Sequence, residues 1–179
     1  CTREKAMKMS EYIRDTMTIF VELGVWGGRS LLPIALAAPK TATIIGIDAW
    51  SPQASLEGTN DKTNDEWWSH VDYDGMFQYT KDLLVKHNVS HVQLWRNKSL
   101  LVAHQFTDDS IDFLHQDSNH SEEISCAEVE MYCKKVKRGG IWVFDDTNWS
   151  TTQKAQSLLL SKDYEQVYDS GTWKIYVRR

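Results

Sequence analysis

Val21-Glu22-Leu23-Gly24-Val25-Trp26-Gly27-Gly28-Arg29-Ser30, followed by Ile44-Ile45-Gly46-Ile47-Asp48, decides how this chain folds. An apolar run from Thr18 to Leu23 ends in glycines, and an apolar helix-like segment runs from Ser30 to Ala38. A second apolar run then ends on an acidic residue twenty positions after Gly28. That order predicts a strand, a tight turn, a helix and a second strand with a carboxylate at its tip. Glycine lets backbone come close to a ligand, and a helix start offers free N–H groups to an anion. With a carboxylate to accept ribose hydroxyls, the unit suits a ligand that has a ribose and an anionic end. The alternative is a glycine turn that joins strand to helix and binds nothing.

The rest of the chain extends the same alternation. Strands are predicted near 18–23, 43–48, 91–96, 110–116, 139–145, 164–169 and 172–178, and helices near 3–14, 29–38, 73–88, 99–106, 121–136 and 150–161. Strands alternating with helices predict an α/β fold, a doubly wound and mostly parallel sheet covered on both faces. Only Ser170-Gly171 separates the last two strands, so they form a hairpin and the final strand runs antiparallel. A chain of 179 residues fits one domain, large enough to bury roughly 70% of its unfolded surface. Residues 49–73 are too long for an ordinary connection and read as a lid or acceptor-binding insert. Trp50, Trp67, Trp68 and Tyr73 sit there among polar residues such as Asn60, Asp61, Lys62 and Asn64. A small satellite core that only anchors the loop is the other reading of these aromatics.

Charge and composition exclude several functions. Acidic residues exceed basic ones, 25 to 20, and the one basic cluster, Lys134-Lys135-Val136-Lys137-Arg138, is expected to mark a helix C-terminus. Nothing here is a nucleic-acid footprint. No apolar stretch approaches twenty residues and no signal peptide opens the chain, so a soluble cytoplasmic protein is expected. Cys126 and Cys133 lie seven apart on one helix face and read as half-buried thiols, not zinc ligands. The chain starts at Cys1 rather than Met, which suggests a missing N-terminal segment.

In such a sheet chemistry is sought beyond the carboxyl ends of the strands. The fourth strand ends in Asp117-Ser118-Asn119-His120 and the fifth in Asp145-Asp146, so three carboxylates converge on one rim. Like charges at close range oppose one another's ionisation unless a cation sits among them, and oxygen ligands suit Mg²⁺ or Mn²⁺. Otherwise Asp117 and Asp146 cap the helices that follow. His115, inside an apolar strand, reads as a satisfied core histidine; Trp95 and Trp142 read as packing residues.

The turn E-L-G-V-W-G-G-R-S departs from the dinucleotide pattern G-x-G-x-x-G, because Val25 and Trp26 occupy the place of the close-approach glycine. A pyrophosphate fits poorly there, which argues against an NAD-dependent hydride transfer. The turn instead resembles motif I of class I S-adenosylmethionine (SAM) dependent methyltransferases, whose ligand ends in an amino acid. Ile111 to Glu122, Arg138-Gly139-Gly140 and Asp145-Asp146 resemble the small metal-dependent O-methyltransferases of the macrocin (sugar) type and, more distantly, the catechol type. The resemblance covers about residues 18–146. It implies a Rossmann-like sheet with the seventh strand beside the fifth. Carried over by position, it implies Mg²⁺ or Mn²⁺ on Asp117, Asp145 and Asp146. The catechol type has a lysine base three residues after the first of these; His120 stands there, with Asp117 as the alternative base. Cofactor contacts implied are Glu22 and Gly24 to Ser30 (Trp26 and Gly28 included) at the methionine end, Asp48 at the ribose, and Asn97 to Ser99 at the adenine, with Asp117 adjoining. Ser99 also fits as the N-cap of a helix over 100–106.

The expected activity is Mg²⁺-assisted methylation of a hydroxyl on a small molecule, a sugar or a vicinal diol such as a catechol. A metal-independent methyltransferase and a non-catalytic SAM- or nucleotide-binding module are the rivals. The expected partners are a small-molecule acceptor and a second copy in a homodimer, with neither nucleic acid nor membrane.

Overall fold

A computed structural model describes residues 1–59 and 62–179; Asn60 and Asp61 of the expected insert lie outside these residues. Seven strands form one sheet: β1 (Ile19–Leu23), β2 (Thr43–Asp48), β3 (Val92–Arg96), β4 (Ile111–Gln116), β5 (Val136–Phe144), β6 (Tyr164–Asp169) and β7 (Lys174–Arg178). Their order is β3-β2-β1-β4-β5-β7-β6, parallel except for β7, which pairs antiparallel with both neighbours. This is the doubly wound sheet with a C-terminal hairpin that the alternation predicts.

The helices are α1 (Arg3–Ser10), α2 (Leu31–Ala37), α3 (Pro52–Ser55), α4 (Lys62–Ser69), α5 (Tyr73–Lys86), α6 (Ser99–Val102), α7 (Glu122–Tyr132) and α8 (Gln153–Leu160). Both sheet faces are buried, and the pleat divides the apolar residues between them. Phe20, Ile44, Phe113, Ile141 and Val143 face one core, with Met9 of α1 and Ile34 of α2. Val21, Ile45, Leu114, Trp142 and Phe144 face the other, with Val129 of α7 and Leu159 of α8. Alternate residues of a strand point to opposite faces, so each strand feeds both cores.

Several element boundaries differ from the sequence reading. The helix expected over 121–136 stops at Tyr132, because Val136 already pairs with Ile111 in the sheet. The basic cluster therefore spans the turn and the start of β5 instead of closing a helix. The helix expected over 3–14 ends at Ser10. The helices expected over 99–106 and 150–161 are each part 3-10: Ala103–Gln105 follows α6, and Ser150–Thr152 precedes α8. In the insert, α3 and α4 supply two short helices, and no described helix is long and apolar enough to cross a membrane.

The loops at the strands' carboxyl ends are packed backbone on backbone. Gly24 N–H donates to the Ile47 carbonyl at 2.9 Å and Asp117 N–H to the Leu23 carbonyl at 2.8 Å, which extends the ladder past the strands. Gly24 has φ +84°, and a Cβ there would stand 2.0 Å from the Asp117 carbonyl oxygen. Only glycine fits such an approach.

Candidate active site

A cavity of about 480 Å³ opens at these strand ends, within the size range of small-molecule sites. Of the residues singled out by sequence, Gly24, Trp26, Ser30, Asp48, Asn97, Ser99, Asp117, His120 and Asp146 line it. Glu22, Gly28 and Asp145 do not; they lie behind its wall.

The glycine turn is held by Asp48. One carboxylate oxygen accepts the Val25 and Trp26 N–H groups at 3.0 and 2.8 Å, and the other accepts Trp50 N–H at 2.7 Å. A carboxylate offers about four acceptor positions, so one is left for a ligand hydroxyl. Burial raises the Asp48 pKa, and the three backbone donors only partly offset it. The carboxylate at the strand tip thus builds the turn as well as facing the cavity. Trp26 has φ +48°, and its carbonyl accepts from Trp50 Nε1 at 2.9 Å and Thr80 Oγ1 at 2.7 Å.

Ser99 is the first residue of α6, not its cap, which is Lys98. Its hydroxyl donates to Glu128 of α7 at 2.5 Å, so the capping alternative does not form. Glu128 is fully buried and also accepts from Ser118 at 2.7 Å and Gln116 at 2.9 Å. Burial raises its pKa against these donors. Sequence reasoning passed over Glu128, although Ser125, Glu128, Val129 and Tyr132 follow the spacing of a buried helix stripe.

The rim carboxylates separate into two groups. His120 Nε2 stands 3.0 Å from Asp146 Oδ2 and 3.6 Å from Asp117 Oδ1, and its ring packs on Trp149 with centroids 5.1 Å apart. Burial lowers the His120 pKa, but the Asp117 and Asp146 carboxylates outweigh it and hold it above the ordinary histidine value. For Asp117 and Asp146 burial dominates and pushes both carboxyls up. Neither aspartate caps a helix, since α7 is capped by Ser121 and the turn at Ser150 has no side-chain cap.

Asp145 faces the other way. Its Oδ2 pairs with Lys5 Nζ of α1, and Lys5 Nζ also lies 3.0 Å from His115 Nε2. On its far side His115 Nδ1 meets Glu22 Oε1 at 2.9 Å, and that oxygen also accepts the Ser30 hydroxyl. His115 is buried and bonded at both nitrogens, as a satisfied core histidine should be. Burial pushes the Asp145 carboxyl up, but His115 and Lys5 beside it outweigh that and hold it well below the ordinary carboxylate range. Nothing in the motif reading pointed to Lys5.

These contacts bear on the expected metal. Among the described residues, donor atoms that approach one another within 4.8 Å form two sets, His115–Asp117–Asp145 and Asp117–His120–Asp146. The expected trio of Asp117, Asp145 and Asp146 is split between them. The Asp145 set already contains the Lys5 ammonium and does not fit a divalent ion. The Asp146 set offers two carboxylates and an imidazole, a donor set that fits a divalent metal.

Above this rim the insert presents aromatic rings. Trp68 packs edge-on to Trp26 with centroids 4.9 Å apart, and Trp67 packs on Trp68 at 4.6 Å while remaining 54% exposed. Asn119, between Asp117 and His120, ties the insert down. Its Nδ2 lies 3.0, 3.2 and 2.9 Å from the carbonyls of Ala54, Ser55 and Glu57.

Several solved structures share this architecture. A putative caffeoyl-CoA O-methyltransferase from Staphylococcus aureus superposes with TM-score 0.70 at 15% identity, over 100% of this chain and 85% of that one. The O-methyltransferase TomG of Streptomyces achromogenes, involved in tomaymycin synthesis and solved with SAM, gives 0.67 at 12%, over 99% and 81%. An rRNA methylase from Streptococcus thermophilus gives 0.64 at 10%, over 98% and 94%. Identities this low establish the fold and leave the acceptor open. No curated protein matches the chain by sequence. Residues 21–147, most of the chain, match the family model described as a methyltransferase domain, and the chain belongs to that family.

Proposed function

We propose that the protein is a SAM-dependent methyltransferase that methylates a hydroxyl of a small molecule. The observation that carries this reading is the placement of His120, Asp117 and Asp146 on the wall of the cavity that also contains the glycine turn and Asp48. SAM, when bound, supplies a methyl already activated on a sulfonium. The residues then need to bind it, orient the acceptor and remove a proton. Arg29 and the turn from Gly24 to Ser30 suit the charged amino-acid end, the spare acceptor position of Asp48 a ribose hydroxyl, and Asn97 and Ser99 the base. Glu22 and Gly28, expected as cofactor contacts, support the turn from behind: Glu22 holds the Ser30 hydroxyl, and Gly28 N–H closes the turn on the Val25 carbonyl at 2.8 Å.

His120 is the proposed base. Its raised pKa makes it a stronger proton acceptor than free imidazole, and Asp117 and Asp146 stabilise the imidazolium it becomes. Trp26 and Trp68 line the cavity and form the wall against which a ring of the acceptor packs, so residues 49–59 and 62–73 act as the acceptor-side lid. Orientation of two bound reactants can contribute several kcal/mol to the barrier reduction.

A second reading keeps a divalent ion, favoured by the closeness of Asp117, His120 and Asp146. Those three residues, in place of the expected aspartate trio, would hold Mg²⁺ or Mn²⁺. The ion would supply Lewis acidity to the acceptor hydroxyl.

Calorimetry with S-adenosylhomocysteine tests the main reading. We expect micromolar-range binding, and weaker binding of NAD. A folded, ligand-free preparation that binds no S-adenosylhomocysteine overturns the function. Release of S-adenosylhomocysteine from SAM then screens catechols and sugars as acceptors. With an acceptor found, His120→Ala should lower turnover by roughly 10²–10⁴-fold and remove the acidic limb of the pH profile. An unchanged profile leaves Asp117 as the base, and loss of turnover in EDTA, restored by Mn²⁺ or Mg²⁺, selects the metal-assisted reading.

A further inference from the structure

Glu22, His115 and Asp145 form a polar row across β1, β4 and β5. Glu22 pairs in register with His115, which pairs with Val143, two residues before Asp145. The row lies on the sheet face that α1 covers, and α1 inserts one charged group into it. Lys5 is only 3% exposed. Its ammonium pairs with Asp145, contacts His115 Nε2 at 3.0 Å and lies 5.7 Å from the centre of the Trp173 ring. The Thr2 cap, which accepts Lys5 N–H at 3.1 Å, and Met9, buried one turn on, fix the helix that carries it.

We propose that Lys5 takes the place a divalent cation would need at Asp145, so that helix α1 neutralises this carboxylate from within and Asp145 binds no metal. The proposal deepens the methyltransferase reading, whose expected metal set included Asp145. A lone buried carboxylate demands a countercharge, and a fixed ammonium supplies one without coordination. Once in place it repels a divalent ion a few ångströms away through a medium less screening than water. His115 Nε2 meets Lys5 Nζ at 3.0 Å and its Nδ1 meets Glu22 Oε1 at 2.9 Å, so the polar contacts run unbroken from Glu22 to the Lys5–Asp145 pair.

Mn²⁺ binding to the full chain, followed by electron paramagnetic resonance, tests this without an acceptor. The variants are Lys5→Gln, Asp145→Asn and the double variant, all checked for folding by circular dichroism. We expect the wild type to show no site that depends on Asp145, so that any Mn²⁺ it binds is retained in Asp145→Asn. Lys5→Gln should gain a site or tighten Mn²⁺ binding by at least about tenfold, because the repelling charge is gone. The double variant should lose that gain. Wild-type Mn²⁺ binding that Asp145→Asn abolishes overturns the proposal, and so does a folded Lys5→Gln that gains nothing. Should Lys5→Gln fail to fold, the Asp145→Asn variant decides alone: Mn²⁺ binding unchanged from wild type supports the proposal, and wild-type binding that Asp145→Asn abolishes refutes it. S-adenosylhomocysteine calorimetry on the same samples keeps the two conclusions apart, since failure there removes the function without touching the Lys5 result.

Discussion

Replacing Asp48 tests whether one carboxylate both builds the turn and binds the ligand. Three backbone N–H groups, from Val25, Trp26 and Trp50, converge on it at 3.0, 2.8 and 2.7 Å. Hydrogen bonds to an ionised acceptor contribute about 1.5–3 kcal/mol each. Burial opposes this, since it raises the Asp48 pKa, and water can reach part of the site once the side chain is gone. Asp48→Ala is therefore expected to cost about 2–4 kcal/mol of stability, less than the plain sum of three such bonds. Asp48→Asn discriminates further. One oxygen faces two donors and the other faces one, so every orientation of the amide turns its NH₂ toward at least one backbone N–H. The favoured orientation sacrifices Trp50, and the expected cost is about 1–3 kcal/mol.

Urea unfolding of ligand-free protein reads the stability, because a bound ligand would add its own contribution. Calorimetry with S-adenosylhomocysteine reads the second role, where Asp48→Ala should weaken binding by about tenfold or more. An Asp48→Asn protein within ~0.5 kcal/mol of wild type would refute the structural role. Unchanged S-adenosylhomocysteine affinity in a folded variant would refute the ligand role.

Other outcomes follow from the same geometry. Gly24→Ala places a methyl 2.0 Å from the Asp117 carbonyl oxygen at φ +84°, so it should cost about 3 kcal/mol or more in urea unfolding; a loss below ~1 kcal/mol would mean the two loops are not packed this closely. Asp112 accepts Thr18 N–H at 2.8 Å, Ile19 N–H at 3.0 Å and Lys137 Nζ at 2.8 Å; burial raises its pKa, but these donors bring the balance below the ordinary 3.8. A carboxylate with a lowered folded pKa adds stability above its unfolded value, and that stability is lost as pH falls. Wild-type urea midpoints should therefore drop below about pH 3.8, and Asp112→Asn should flatten that part of the curve; identical curves would refute the assignment. Hydrogen exchange in residues 50–59 and 62–73 should slow when S-adenosylhomocysteine and an acceptor are both bound, whereas equal protection in both states would make the insert a static support.

The sheet was legible because burial on both faces leaves continuous apolar strands, and because glycines and polar turns punctuate them. β1, β2 and β4 lie where apolar runs end at such breaks, and the Ser170-Gly171 turn marks the hairpin of β6 and β7. Helix ends were less legible: nothing local in Lys134-Lys135-Val136 distinguishes a last helical turn from a strand start, and pairing with β4 decides it. The lining residues Asp48, Ser99, Asp117 and His120 were found because the fold puts the strands' carboxyl ends and the loops that follow them at the cavity.

Glu22, Asp145 and Lys5 show where that rule stops. Strand-end position places a residue at the right depth, but the pleat decides which way it points. Phe20 and Glu22 share a face, as do Phe113 and His115, and Val143 stands two residues before Asp145; that face is the core beneath α1. Glu22, His115 and Asp145 are thus committed to α1 by the same period of two that buries their apolar neighbours. Asp146, the next residue after Asp145, swings to the cavity at φ +48°. An Asp-Asp pair read as two ligands for one ion is therefore divided between two donor sets that share only Asp117. Since a sheet residue's partner on its covering helix is a tertiary contact, separated here by 140 positions, no local pattern announces Lys5. Its position on the Lys5–Met9 face of an amphipathic helix becomes informative only once the row it must neutralise is known.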